Sequence, residues 1–254
     1  MRNFFTAIFV FSVIFINAQF DSVNSGEILK YRIHYGFLNA GFATLSTKKT
    51  TYNGAPHLYV RGEGRSSGAV RAFFKVDDIY ESYINLRTDQ PSFYVRNVSE
   101  GSYRKNLAST FNHSNHTVSL HDRIKNETRN FNVNSDIQDM LSSFYYLRTL
   151  STDQLKVGSS VKLNVWIDDE IYPFMLKVVG TEMMSTKFGK INCLKIIPSV
   201  MSGRVFKAKE GVTMWVTNDA NHIPIQMKAE LAVGSLKADL IEYSNVKYPL
   251  RFAK

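Results

Sequence analysis

The sequence predicts a mainly β protein, a single curved antiparallel sheet or partly open β-barrel with one main α-helix, at about residues 135–150, packed on it. Three observations predict this. Strand patterns recur at a spacing of roughly ten residues. Short turns such as Asn53-Gly54 and Gly234-Ser235 join neighbouring strands as hairpins. Only the stretch SDIQDMLSSFYYLRTL, Ser135 to Leu150, carries a firm helical period.

Ile28 to Tyr35 opens the series. Leu29, Tyr31, Ile33 and Tyr35 alternate with Lys30, Arg32 and His34, which is the pattern of a half-buried strand. Gly36 to Gly41 turns the chain, Phe42 to Thr50 returns it, and Asn53-Gly54 leads into His57 to Glu63. A Gly/Ser break at Gly64 to Gly68 precedes a short Ala69 to Phe74 segment. More polar strands follow around Ile79 to Leu86, Ser92 to Val98, Tyr103 to Phe111, Thr117 to Asp122 and Thr128 to Val133.

In the helical stretch, Ser135 stands at an N-cap position with Gln138 three residues on, the spacing of a capping box. Ile137, Leu141, Phe144 and Arg148 share a stripe that Met140, Leu147 and Tyr145 widen, so this face must be covered by the sheet. Beyond it, Val161 to Ile167 and Ile171 to Val179 form a hairpin around an acidic turn. Ile191 to Pro198 is apolar enough for a central strand. Val212, Met214 and Val216 alternate, and Ile225 to Val233 pairs with Leu236 to Tyr243 across Gly234-Ser235. There is no internal repeat or linker, so residues 19–254 are expected to form one domain.

Residues 1–18 have the form of a secretory signal peptide. Arg2 precedes an apolar run from Phe4 to Ile16, and the expected cut follows Ala18. The run is too short for an ordinary membrane span, and no transmembrane segment is expected in the mature chain. Export to the periplasm, the outer-membrane region or the extracellular space makes nucleic acid an unsuitable partner, although the formal net charge is +9. Scattered Lys and Arg instead read as a solvated face that an anionic envelope surface would attract. About 236 residues can bury a full core without covalent staples. Cys193, the one cysteine, reads as a small buried core residue, and no cofactor motif is present.

Four constellations touch on chemistry. Gly64-Arg65-Ser66-Ser67-Gly68 fits the G-x-S-x-G nucleophile elbow, and Asp136 or Asp168 followed by His222 supplies the chain order of a hydrolase. That elbow needs a parallel α/β sheet, which this chain does not offer, so Ser66 reads as a turn residue. His113, His116 and His121 lack a carboxylate or cysteine to complete a metal set. Asp168, Asp169 and Glu170 read as a hairpin tip. Finally, Met140, Phe144 and Tyr145 on the helix are expected to face Met214, Met227 and Leu231 on late strands, making a deformable apolar lining suited to acyl chains.

GEILKYRIHYGFLNAGFATL, LSSFYYLRTL, VVGTEMMSTKFGKINCLKIIP and MWVTNDANHIPIQMKAELAVGSLKADL together resemble the bacterial envelope proteins of domain-of-unknown-function family 3108. The resemblance runs from about Gly26 to Glu242, and the family's defining positions stand here as Tyr31, Tyr35, Gly41, Trp215, Asp219 and Pro224. It assigns no catalytic residue. It implies a bacterial source, in which the sequons at Asn97, Asn112, Asn115 and Asn126 are turns. The closing Trp strand, Asp turn, Pro and amphipathic hairpin are also similar to periplasmic lipoprotein carriers of the Lol type, which hold acyl chains in a half-open barrel closed by helices.

The expected function is therefore an exported, non-enzymatic protein binding an apolar or lipid-like ligand in the cell envelope. The alternative is an envelope scaffold whose basic face binds acidic glycan or lipopolysaccharide, and the third reading is a hydrolase using Ser66. N-terminal sequencing of protein recovered from cells should find Gln19 first. Intact Met1 would contradict the export reading.

Overall fold

The alternation at the start of the chain folds as strand β1 (Ile28–Tyr35), with Leu29 and Tyr31 buried and Arg32 exposed, but past an irregularity between Ile33 and His34 the expected faces exchange, so that His34 is buried and Tyr35 exposed. The computed structural model describes residues 22–200 and 211–253, so the expected signal segment, 1–18, lies outside the described residues. β2 (Leu38–Tyr52) and β3 (Ala55–Ser66) form a long hairpin. Asn53 and Gly54 at its turn have φ of 47° and 75°, which the two-residue connection demands. Helix α1 (Gly68–Phe73) follows, then the meander β4 (Asp77–Asn85), β5 (Gln90–Glu100), β6 (Tyr103–Asn112), β7 (Thr117–Asp122) and β8 (Glu127–Asn132). A three-residue strand, β9 (Ile137–Asp139), leads directly into α2 (Met140–Thr149). The remaining strands are β10 (Ser160–Ile167), β11 (Glu170–Thr186), β12 (Gly189–Val200), β13 (Val212–Thr217), β14 (Pro224–Glu230) and β15 (Ser235–Ser244).

All fifteen described strands belong to one sheet in the order β8-β7-β6-β5-β4-β3-β2-β1-β15-β14-β13-β12-β11-β10-β9. β1 pairs with β15, so the first and last strands meet in mid-sheet. Every pairing is antiparallel except β9 with β10. The sheet is strongly curved, and its two ends approach each other. Trp166 of β10 donates to Ser109 Oγ of β6 at 3.0 Å, and its ring lies 5.1 Å from that of Phe131 on β8. At the β10–β11 turn, Asp168 accepts from Arg96 at 2.5 Å and Lys105 at 2.7 Å, while Asp169 pairs with Arg129 at 3.0 Å. The acidic hairpin tip is thus held by cations from β5, β6 and β8.

Several boundaries differ from the sequence expectation: β2 starts at Leu38 rather than Phe42 and β11 runs on to Thr186 rather than Val179, and two further differences bear on the site. The helix begins at Met140 rather than near Ser135, because residues 137–139 pair with Asn164, Val165 and Trp166 and are buried as strand. Its cap is Asp139. The carboxylate accepts from the Leu141 and Ser142 amides at 2.7 and 2.8 Å, and Ser142 Oγ accepts from the Asp139 amide at 2.7 Å. The late hairpin also ends sooner: β14 stops at Glu230, and Leu231 N bonds to Gly234 O at 3.0 Å across a turn.

Helix α2 lies against the concave face and joins two cores. Leu141 and Tyr145 pack with Leu58, Val60, Ile84 and Trp166. Leu147 and Leu150 pack with Leu163, Val178, Leu194 and Val216. Gly62 makes the approach feasible, since a Cβ there would sit 3.2 Å from Leu45 Cδ2 and 3.4 Å from Leu141 Cδ2. Among the described residues, no helix is long and apolar enough to cross a membrane.

Arg148 shares the inward stripe, as its spacing predicts, but carries charge to the inside. Its guanidinium meets the Glu27 carboxylate in two parallel hydrogen bonds of 2.5 and 2.8 Å, and both side chains are fully buried. Nε donates to Asn221 O at 3.0 Å. Burial works to lower the Arg148 pKa, while the hydrogen bonds and charge of Glu27 outweigh it, so the net shift is upward and the side chain stays charged. Removing one partner strands the other charge. Arg148→Met alone should cost about 3–5 kcal/mol in urea unfolding, and Glu27→Leu combined with Arg148→Met should recover most of that loss. Additive losses in the double variant would contradict this account.

Candidate functional site

Where α2 crosses β10 to β13, the two surfaces do not fully close. They leave an apolar cavity of about 310 Å³. Met140, Phe144 and Leu147 form the helix wall, each one turn from the next, and Leu163, Val165 and Ile167 form the β10 wall. Phe174 and Leu176 of β11, Pro198 of β12 and Met214 of β13 complete the lining. Among the described residues, Ser143 is the one hydroxyl in that lining, and its Oγ donates to Met140 O at 3.0 Å, so it is already engaged within the helix. The volume is about twice that of an apolar cavity known to stay dry and accept benzene. Met140, more than a third exposed, stands at the mouth.

Of the six residues expected to line a pocket, the structure brings Met140, Phe144 and Met214 together. Tyr145 does not join them. One residue after Phe144, it is rotated by about 100° around the helix and packs fully buried, its ring 5.3 Å from the Arg148 guanidinium. Met227, one strand farther along the sheet, packs with the cluster around Tyr31, Trp215 and Leu240. Leu231 sits exposed in the β14–β15 turn, where the strand has already ended. The β10 lining was available to sequence reasoning, because Val161, Leu163, Val165 and Ile167 alternate cleanly.

The hydrolase constellation is not assembled. Ser66 does end a strand before a short helix, yet its Oγ accepts from the Val76 amide at 2.9 Å. His222 lies beside Arg148 and Asn221, at the end of the sheet where Glu27 pairs with Thr47. Thr47 opposes Val60, six residues along β3 from Ser66, a separation of about 20 Å. The histidines are dispersed as well. His113 bonds to Pro91 O at 2.7 Å, His121 to Thr128 Oγ1 at 3.0 Å, and His116 occupies a turn with φ of 54°. Among the described residues, no group of three or more His, Cys, Asp or Glu is placed to hold a metal. Cys193 is buried, and its thiol is pushed up to about 12 by burial, then by the nearby Asp219 and Glu182 charges.

A family model described as "Protein of unknown function (DUF3108)" matches residues 30–241. The chain belongs to the DUF3108 family. No curated protein matches it. Among solved structures, the β-barrel-like DUF1849 protein of Brucella abortus is similar with a TM-score of 0.58 and 8% identity. That match covers 86% of this chain and 97% of the other, and it shows a shared fold. A predicted lipoprotein from Parabacteroides distasonis matches with a TM-score of 0.36 and 12% identity over 89% of this chain and 99% of its own. A predicted exported protein with a YmcC-like fold from Bacteroides fragilis gives 0.36 and 9% over 90% and 100%.

The positions that carried the resemblance to DUF3108 have structural employment here. Tyr31 donates to Pro224 O at 3.1 Å, Trp215 Nε1 to Glu182 at 2.8 Å, and Asp219 accepts from Thr217 Oγ1 and the Asn221 amide. The DUF3108 description names no reaction.

The helix that walls the cavity is anchored at its start by a titratable group. Burial raises the Asp139 carboxyl to about 6, and hydrogen bonds from Ser82 and from the Ser142 and Leu141 amides only partly counter it. An unfolded aspartate titrates near 3.9. The native state therefore holds this proton longer than the unfolded state, and stability falls as pH rises from about 4 to about 6. Asparagine caps a helix as well as aspartate does. Asp139→Asn should lack this fall, which amounts to about 3 kcal/mol at most for a shift of two pH units. Urea melts at several pH values check it, and parallel stability curves for the two proteins would contradict it.

Proposed function

We propose that this DUF3108 protein is an exported, non-enzymatic envelope protein that holds an apolar, lipid-like chain in the cavity beneath α2. The observation that carries this reading is the lining itself. Among the described residues, eleven from one helix and four strands surround the cavity, and the single hydroxyl among them is already hydrogen-bonded within the helix. Such a site offers an incoming molecule no directional polar contact, so it selects for apolar bulk. Met140 and Met214 add adaptable side chains that suit a ligand of variable length or shape.

The surroundings support a carrier rather than a catalyst. The groups nearest to chemistry are occupied in structure: Asp139 as a helix cap, and Arg148 and Glu27 with each other. The signal-like segment at 1–18 and the basic composition support residence in the envelope, near anionic lipid. We propose that residues 19–254 act as one unit, in keeping with the continuous sheet.

Solvent extraction of the purified mature protein followed by mass spectrometry should release a lipid-like molecule. Met214→Trp, which fills the cavity from a half-buried position, should remain folded and release far less of it. An empty extract from the wild type would overturn the carrier reading and favour an envelope scaffold.

A further inference from the structure

One rim of the sheet carries large apolar side chains that the fold does not use. Phe37 in the β1–β2 turn is 105% exposed, Phe73 at the end of α1 is 92% exposed, and Val233 in the β14–β15 turn is 77% exposed. Phe74 and Tyr103 extend the same set. Helix α1 buries none of its residues.

These tips are not scattered. Tyr35 donates to Val233 O at 2.9 Å, joining the β14–β15 and β1–β2 turns. The Ser67 amide donates to Ala40 O at 3.0 Å and Asn39 to Ser67 Oγ at 3.1 Å, which fixes α1 beside the β1–β2 hairpin. The Gly101 amide donates to Lys75 O at 2.8 Å, bringing the β5–β6 turn, which Tyr103 follows, against the Phe74 ring. Four connections are thus held side by side, with their apolar groups projecting from one end of the barrel.

We infer that this rim docks on an anionic lipid bilayer and presents the cavity mouth to it. Three observations choose a bilayer over other occupants. The apolar groups stand singly on separate turns, and the recess between the β1–β2 and β14–β15 turns is lined by His34, Tyr35, Gly36, Gly234, Ser235 and Lys237 rather than by an apolar stripe for a partner helix, a form that suits insertion between headgroups. Cations flank them: Arg71 and Lys75 bracket Phe73 and Phe74, and Lys237 follows Leu236 in the β14–β15 turn region. Around α1, Arg65, Arg71 and Lys75 share the carboxylate of Asp77, and with Arg104 in the β5–β6 turn region these cations outnumber Asp77, Asp78 and Glu100, leaving a small excess of positive charge where an anionic surface would lie. Lastly, the cavity lies on the rim side of the fold. Ile167 ends β10 beside the β10–β11 turn, Met214 is two residues from the start of β13, and Met140 opens α2. The inference rests on the carrier reading for its purpose, while the docking geometry stands without it.

The test is sedimentation of the mature protein with vesicles of phosphatidylethanolamine and phosphatidylglycerol, and with vesicles of phosphatidylcholine alone. Wild type should bind the anionic vesicles and lose binding in high salt. Phe37→Ser with Phe73→Ser should weaken partitioning by about tenfold or more with an unchanged melting curve, since neither ring is buried. Lys75→Glu with Lys237→Glu should weaken it selectively on anionic vesicles. As a second readout, Phe37→Trp should show emission quenched by brominated lipid. No binding by wild type, or equal binding by the Phe variants, would overturn the proposal. So would a dimer in light scattering that the same variants abolish without any vesicle binding. Lipid extracted from the wild type together with no vesicle binding would overturn the docking and leave the cavity reading standing.

Discussion

The meeting of Arg148 with Glu27 is the contact on which the placement of α2 depends. Two opposite charges fully out of water lose several kcal/mol of hydration each, and they recover it only in good geometry with their remaining valences filled. Here the fork is bidentate and Nε reaches the Asn221 carbonyl. The pair therefore contributes position more than net stability. It fixes the C-terminal end of α2 to the start of β1 and to the β13–β14 turn, while the Asp139 cap and Ser82 fix the other end to β4 at 2.6 Å. A helix pinned at both ends cannot slide to fill the space beside it, and the cavity between Phe144, Leu163 and Met214 persists for that reason.

Closure of the sheet depends on a second set of charges. A fifteen-stranded sheet leaves β8 and β9 as edges, and open edges invite pairing with other chains. The fold manages them by curling. Asp168 and Asp169 at the β10–β11 turn engage Arg96, Lys105 and Arg129 across the gap. Beneath them, Trp166 and Phe131 supply the apolar contact. The end bearing those acidic residues is also the rim with the exposed phenylalanines, so neutralising them leaves the cations around α1 to set the local charge.

Much of the fold was legible because period-two alternation is local. β1 has the bounds its alternation predicts, and Asn53-Gly54 makes the expected turn. What failed needed distant partners. Ser135 and Gln138 imitate a capping box, but residues 137–139 are drawn into the sheet by β10, and the working cap is Asp139 with Ser142. Arg148 stood on the apolar stripe without explanation, since Glu27 lies 121 residues away. The site shows the same division. Met140, Phe144 and Met214 follow from helix and strand periods. Tyr145, Met227 and Leu231 lie outside this lining for local reasons: Tyr145 turns toward Arg148, Met227, although opposite Met214 on the next strand, packs with the cluster around Tyr31, and Leu231 lies past the end of β14.

The central claim is that an apolar chain occupies the space between α2 and β10 to β13. The most direct measurement is methyl NMR of methionine-labelled protein with a fatty acid carrying a nitroxide at its chain end. The account predicts selective broadening of the Met140 and Met214 methyl signals, with that of Met184, which packs against the separate cluster around Tyr31 and Trp215, left sharp. Uniform broadening, or none, would contradict it.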